Sequence, residues 1–233
     1  MVKPILIFIV AFLSAIIFVL TIILILVIKQ IDRITKLKAR QYSAYQDYLE
    51  KGKTVFLGDS LTEFFRIEEF FHQFNPYNRG IASDKTIGVL ERLESNVIAL
   101  KPSKVFLQIG TNDLNSKKQL RQNLLVNIKE ILLRLKENLP NAQIYFISLY
   151  PVNRKAKFFS IFFVGKRKNN DIAAINSEVE AFCNDNNFVY IDIYNNLLDE
   201  NGNLNKKYTI EGLHLNFEGY CLIASLLFPY LEA

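Results

Sequence analysis

The chain of 233 residues carries two histidines. One of them, His214, stands three residues after the carboxylate Glu211. In a turn, that spacing lets the acid hold one ring nitrogen while the other faces a nucleophile, the base-and-orienter pairing of triad chemistry. A serine in a suitable setting is Ser60, within "VFLGDSLTEFF" from Val55 to Phe65. There an apolar run stops at Gly58 and Asp59, and an apolar face resumes beyond the serine. A serine hydroxyl attacks poorly unless a base removes its proton. At a strand-to-helix turn its Oγ is exposed, and nearby helix N–H groups face developing negative charge. Gly, Asp and Ser are also turn formers, so the tripeptide by itself reads more simply as a turn.

Two further clusters could supply donors. In Asn78-Arg79-Gly80-Ile81, a glycine allows the backbone to approach a ligand closely, so the Gly80 N–H could serve an oxyanion; an ordinary turn glycine is the plain alternative. In Gly110-Thr111-Asn112-Asp113, the Asn112 amide offers N–H donors without adding charge, with a capping Asn as the alternative. Asp84 reads as the N-cap of the helix that follows it. The second histidine, His72, lies in the Phe-rich stretch "EEFFHQF" and is expected to be a packing residue.

These residues are useful only if the chain brings them together. From Thr54 onward, short apolar runs alternate with longer helical patterns. Strands are expected at Thr54–Leu57, Val105–Ile109, Gln143–Ser148 and Phe188–Ile191, with a weaker one near Tyr77–Ile81. Helices are expected at about Lys85–Leu100, Lys117–Asn138, Asn170–Asn186 and Phe217–Leu231. Strands apolar on both faces, separated by helices, indicate a parallel sheet covered on both sides. In such sheets ligands bind beyond the carboxyl ends of the strands, and the Ser60, Gly80 and Asn112 clusters each follow one.

In order, Gly58-Asp59-Ser60, Gly80, Asn112 and acid-x-x-His214 resemble the four signature blocks of the SGNH (GDSL-type) hydrolases. The stretches "VFLGDSLTEFF", "NRGIASDKTIGVLERL" and "VFLQIGTNDL" are similar to the branch containing platelet-activating-factor acetylhydrolases and lysophospholipase-like esterases. The likeness runs from about Thr54 to the C-terminus. It implies a flavodoxin-like three-layer α/β/α sandwich with a mostly parallel sheet, ester or thioester hydrolysis, and no metal or organic cofactor. It also implies Ser60 as nucleophile and His214 as general base, with the Ser60 N–H, Gly80 N–H and Asn112 side chain as oxyanion hole. One position departs: the family ordinarily has Asp three residues before the histidine, and this chain has Glu211. Its extra methylene can still reach the imidazole if it folds back, and unrelated hydrolases use Glu in this role.

The expected activity is hydrolysis of acyl esters, whether of lipids, lysophospholipids or small molecules, through an acyl-serine. Two alternatives stay open. An acyl-serine can pass to a sugar hydroxyl, which suits an acyltransferase or deacetylase of envelope glycans. Alternatively, Glu211 marks lost catalysis in an anchored binding module.

Ile5 to Ile28 is a run of 24 residues without a charge, broken only by Ser14 and Thr21. As a helix it is about 36 Å long, enough to cross a hydrocarbon core of about 30 Å. A signal peptide has a shorter apolar region and a small-residue cleavage site. A buried core helix apolar all round needs protein on every side. The organisation expected is therefore a membrane anchor over 1–28, a charged helical connector over 29–51 and a catalytic domain over 52–233. Lys29, Arg33, Lys36, Lys38 and Arg40 follow the span and favour a cytoplasmic domain. Long domains also translocate despite such charges, so the extracytoplasmic side stays open.

The net charge of +5 owes much to that cluster, which suits anionic head groups or a solvated helix face. No nucleic-acid motif accompanies it, and no nucleic-acid partner is expected. Cys183 and Cys221 fall on expected helices in apolar company and read as buried thiols. After the fourth strand, "RKAKFFSIFFVGKRK" (Arg154 to Lys168) sets Phe158, Phe159, Ile161, Phe162, Phe163 and Val164 between basic residues. Two readings stand for it: an interfacial lid dipping into the bilayer surface, or a packed helix or loop covering the sheet.

Overall fold

A computed structural model describes residues 2–116 and 123–232. It begins with α1 (Val2–Tyr45), one continuous helix. The stretch Val10–Tyr45 is long and apolar enough to cross a membrane, with mean hydropathy 3.2 in its most apolar window and none of that window buried. The helix passes residue 28 without a break and ends inside the segment expected to be a connector.

Beyond it, β1 (Thr54–Gly58) leads through α2 (Ser60–Glu63) and α3 (Ile67–Phe70) to β2 (Tyr77–Gly80). Then come α4 (Thr86–Asn96), β3 (Lys104–Gln108), α5 (Thr111–Leu114), α6 (Leu124–Asn138) and β4 (Gln143–Ile147). The chain closes with α7 (Ser160–Val164), α8 (Asn169–Asn186), β5 (Val189–Ile191) and α9 (Phe217–Glu232). The strands form one sheet in the order β2-β1-β3-β4-β5, and every neighbouring pair is parallel.

Alternation along each strand builds two cores. Val55, Leu57, Val105, Leu107, Ile144 and Phe146 face one side and pack with Val89 and Leu93 of α4, Ile128 and Leu132 of α6, and Val179 of α8. Phe56, Phe106 and Tyr145 face the other side and pack with Phe71 and with Ile223 and Leu227 of α9. On that side the rings of Phe71, Phe56, Phe106 and Tyr145 stack across the strands, with successive centroids 5.8, 4.7 and 4.4 Å apart. This is the three-layer α/β/α sandwich, with the carboxyl ends of all five strands on one edge.

Several boundaries differ from expectation. The helix expected over Lys85–Leu100 stops at Asn96, because Val97 leaves helical geometry and the chain tightens into a 3-10 turn at Ile98–Leu100. The helix expected from Lys117 is observed from Leu124, and residues 117–122 lie outside the described residues. The aromatic insertion forms only α7, which buries Ser160 and Val164. Phe158 is 98% and Phe162 81% exposed, so the insertion does not cover the sheet with its phenylalanines. Both cysteines are free, Cys183 buried and Cys221 half-buried.

Candidate active site

β1 ends on a glycine because no side chain fits there. A Cβ on Gly58 would lie 2.1 Å from Thr62 Oγ1 and 2.4 Å from Gln108 O. The chain turns at once into α2, whose first residue is Ser60, and Asp59 caps it by accepting from the Leu61 N–H at 3.0 Å. Ser60 therefore stands at the carboxyl edge, and its own N–H has no partner among the described residues.

His214 arrives on the loop between β5 and α9, which is tied on both sides. Thr209 Oγ1 donates to His214 O at 2.7 Å and accepts from the Gly212 N–H at 2.8 Å. Gly212 adopts φ +94, and a Cβ there would lie 2.0 Å from Asn153 O. The Asn153 N–H donates to Gly212 O at 2.8 Å, pinning this loop to the segment after β4. A left-handed residue pressed on backbone must be glycine.

The outcome is a chain of three side chains. Ser60 Oγ lies 3.0 Å from His214 Nε2, and His214 Nδ1 lies 2.6 Å from Glu211 Oε1. The same Glu211 oxygen accepts the His214 backbone N–H at 3.0 Å, so the longer side chain is folded back onto its own turn. Burial alone would raise the Glu211 carboxyl, but the hydrogen bonds from the His214 ring and backbone outweigh it and lower its pKa. A carboxylate at Nδ1 favours the tautomer that leaves the Nε2 lone pair facing the serine. The Phe64 ring, 5.4 Å from the His214 ring, flanks the pair.

Asn112 sits in α5, just after β3. Its Nδ2 donates to Asp84 O at 2.9 Å, and its Oδ1 accepts from Arg167 Nη2 at 2.8 Å. The guanidinium thus fixes which end of the amide is oxygen, and the second N–H of Nδ2 has no partner among the described residues. Arg167 is buried and also donates to Thr111 O at 2.7 Å, Phe163 O at 3.0 Å and Val164 O at 3.1 Å. Nothing in the sequence separates it from its exposed neighbours Lys166 and Lys168, and sequence reasoning missed it.

Gly80 departs from expectation. Its N–H already donates to Asn78 Oδ1 at 2.8 Å and is not free to meet an oxyanion. Its lack of a side chain serves packing instead, since a Cβ there would lie 2.2 Å from Glu63 N. In the loop that follows, Ile81 N–H donates to Gly58 O, Ala82 N–H to Glu63 and Asp84 N–H to Ile81 O. The Ser83 N–H, on a residue with φ +66, has no partner among the described residues.

Two acids also take unexpected roles. Asp84 is not the α4 cap; it is buried and meets Arg92 Nε at 2.8 Å, while Arg92 Nη2 donates to Gly58 O at 3.1 Å. The cap comes from Asp113, whose oxygens accept from the Thr86 N–H at 3.1 Å and Thr86 Oγ1 at 2.7 Å, joining the Asn112 loop to α4. Asp59 is fully buried, and desolvation pushes its carboxyl up to about 7 against the lowering effects of the Leu61 N–H and Arg167. Its Oδ2 has no partner among the described residues. His72, expected to pack, is exposed on a 3-10 turn.

No group of three or more His, Cys, Asp or Glu that could hold a metal occurs among the described residues. A cavity of about 650 Å³ between α1 and β2, lined in part by Tyr42, Glu63 and Arg79, includes neither Ser60 nor His214. Side-chain chemistry, not volume, marks this site.

Comparison with known proteins identifies the family and the fold. A family model described as the GDSL-like Lipase/Acylhydrolase family matches residues 56–222. A solved structure described as a candidate platelet activating factor from Streptococcus pneumonia is 27% identical, covers 88% of this chain and 96% of its own, and superposes with a TM-score of 0.82. A GDSL-like lipase from Bacteroides thetaiotaomicron is 25% identical, covers 83% and 97% respectively, and has a TM-score of 0.73. Among curated proteins, an N-acylneuraminate cytidylyltransferase from Escherichia coli O18:K1:H7 is 27% identical over 168 residues. That match covers 72% of this chain and 37% of the relative, so the chain spans little more than a third of its length.

Proposed function

The chain belongs to the GDSL-like lipase/acylhydrolase family, and on that premise we propose that it is a membrane-anchored serine esterase using Ser60, His214 and Glu211. The observation that carries this reading is the unbroken contact from Ser60 Oγ through the His214 ring to Glu211. α1 supports the anchor by its length and apolarity.

In the first half-reaction His214 Nε2 takes the Ser60 proton as Oγ bonds to the acyl carbon. Glu211 stabilises the imidazolium that forms. The carbonyl oxygen becomes an oxyanion, met by the Ser60 N–H, the free Nδ2 hydrogen of Asn112 and the unpaired Ser83 N–H. Collapse breaks the acyl–oxygen bond, and His214 returns its proton to the departing alcohol. In the second half-reaction His214 deprotonates a water as it attacks the acyl-serine; the Ser60 Oγ–acyl bond then breaks, His214 returns the proton to Oγ, and the acid is released. Hydrolysis of a short p-nitrophenyl ester, lost in Ser60→Ala, tests the assignment; turnover at the wild-type rate in that variant refutes it.

A second reading is a deacetylase of glycan acetyl esters: relatives that this chain matches over little more than a third of their length are named for an acylated sugar acid, N-acylneuraminate. Offering an acetylated sugar and a long-chain acyl ester to the same preparation separates the two.

A further inference from the structure

α1 leaves the domain in a definite direction. Ser43 Oγ meets Ser95 Oγ at 2.9 Å and Ala39 O accepts from Asn96 Nδ2 at 3.1 Å, both at the C-terminal end of α4. Eight residues earlier than Ser43, Thr35 Oγ1 lies 3.3 Å from Ala82 O, in the loop that follows β2 at the carboxyl edge of the sheet. Between them Lys38 pairs with Glu63, which also accepts from the Ala82 N–H. Followed from Ser43 back to Thr35, these contacts climb from the far end of α4 to the edge that carries Ser60, and α1 departs beyond that edge. Ile28, the last residue of the uncharged run, lies roughly 10 Å further along the helix.

The same edge carries most of the domain's exposed apolar surface. Phe158 and Phe162 stand on the insertion, and Phe64, Ile87, Ile210 and Phe217 lie on segments around Ser60 and His214. Among the described residues beyond Thr54, the large exposed apolar side chains away from this edge are Leu133 and Val189. Lys155, Lys157, Lys166 and Lys168 are exposed beside the phenylalanines. Apolar rings rimmed by lysines match an anionic lipid surface, where rings enter the headgroup layer and ammonium groups meet phosphate.

We propose that the carboxyl edge of the sheet rests on the bilayer spanned by α1, with Phe158 and Phe162 in the headgroup layer, so that the crevice receives amphiphilic acyl esters presented by that surface. The inference rests on the anchor and esterase readings above, and adds the direction the crevice faces and the physical state of the substrate.

The chain contains no tryptophan, so Phe162→Trp introduces a single indole. The full-length variant is reconstituted in phosphatidylcholine–phosphatidylglycerol vesicles with lipids brominated near the headgroup and, in a parallel set that reports position 17, near the end of the acyl chain. Its emission should be shifted to the blue and quenched several-fold more than that of Val189→Trp, and Phe158→Trp should behave as Phe162→Trp does. Ile17→Trp, within α1, reports the anchor separately. Quenching at 17 with water-like, unquenched emission at both 158 and 162 overturns the inference and leaves the anchor standing; no quenching at any of the three overturns both. Fluorescence needs no turnover, so a failed esterase assignment would not obscure the result.

Discussion

Arg167 Nη2 donates to Asn112 Oδ1 across 2.8 Å, from a guanidinium that is itself buried. Because α7 carbonyls accept from the same guanidinium, the orientation of the Asn112 amide is coupled to the aromatic insertion. Lysine can replace the charge but not the fork that reaches Asn112, Thr111 and α7 together. Arg167→Lys should lower kcat by about tenfold or more while leaving KM nearly unchanged, since a donor aimed at the oxyanion acts in the transition state. Steady-state kinetics on a p-nitrophenyl ester, with melting curves to confirm folding, check this; a rise in KM at constant kcat would assign Arg167 to substrate binding instead.

Asn112→Ala removes the donor outright. Loss of one oxyanion donor costs about 3 kcal/mol, so turnover should fall by about a hundredfold or more. Loss of less than about threefold would remove Asn112 from the reaction.

Glu211→Gln keeps the size of the side chain and removes its charge. An amide whose NH2 faces Nδ1 favours the tautomer with a proton on Nε2, which cannot accept from Ser60. An activity loss of about a thousandfold or more is expected, by comparison with the same change in a serine protease triad. Near-normal turnover would mean that the loop backbone alone orients His214.

Burial of Asp59 sets an expected direction for the pH dependence of stability. Its folded carboxyl is raised from 3.8 to about 7, so the fold holds the proton more tightly than the unfolded chain does. The stability linked to that proton is fully present below the unfolded value and is lost as pH rises through 7. Asp59→Asn keeps an oxygen for the Leu61 N–H and never ionises. Its stability relative to wild type should therefore grow between pH 5 and 7, by up to about 1.4 kcal/mol per unit. Parallel denaturation curves at pH 5 and 8 would show that Asp59 ionises without cost.

The sheet was legible because its strands are apolar on both faces: Val55, Phe56 and Leu57 read as one buried run and feed two separate cores. The Ser60 and His214 clusters were legible because both lie on turns whose neighbours in sequence are also their neighbours in space. What escaped depends on contacts made in three dimensions. Asn78 claims the Gly80 N–H, and Asp113 displaces Asp84 as the cap of α4 from 27 residues away. Arg167 crosses 55 residues to reach Asn112, and its spacing gives no hint of it. The direction of α1 depends on Thr35 meeting Ala82, which no helical pattern records.

The central claim is that Ser60 is a nucleophile activated by His214, and its reactivity can be read directly. Full-length protein treated with a fluorophosphonate probe and mapped by peptide mass spectrometry should carry the label on Ser60, with none in Ser60→Ala and strongly slowed labelling in His214→Ala. An unlabelled Ser60 in folded wild-type protein, or labelling indifferent to His214, would contradict the account.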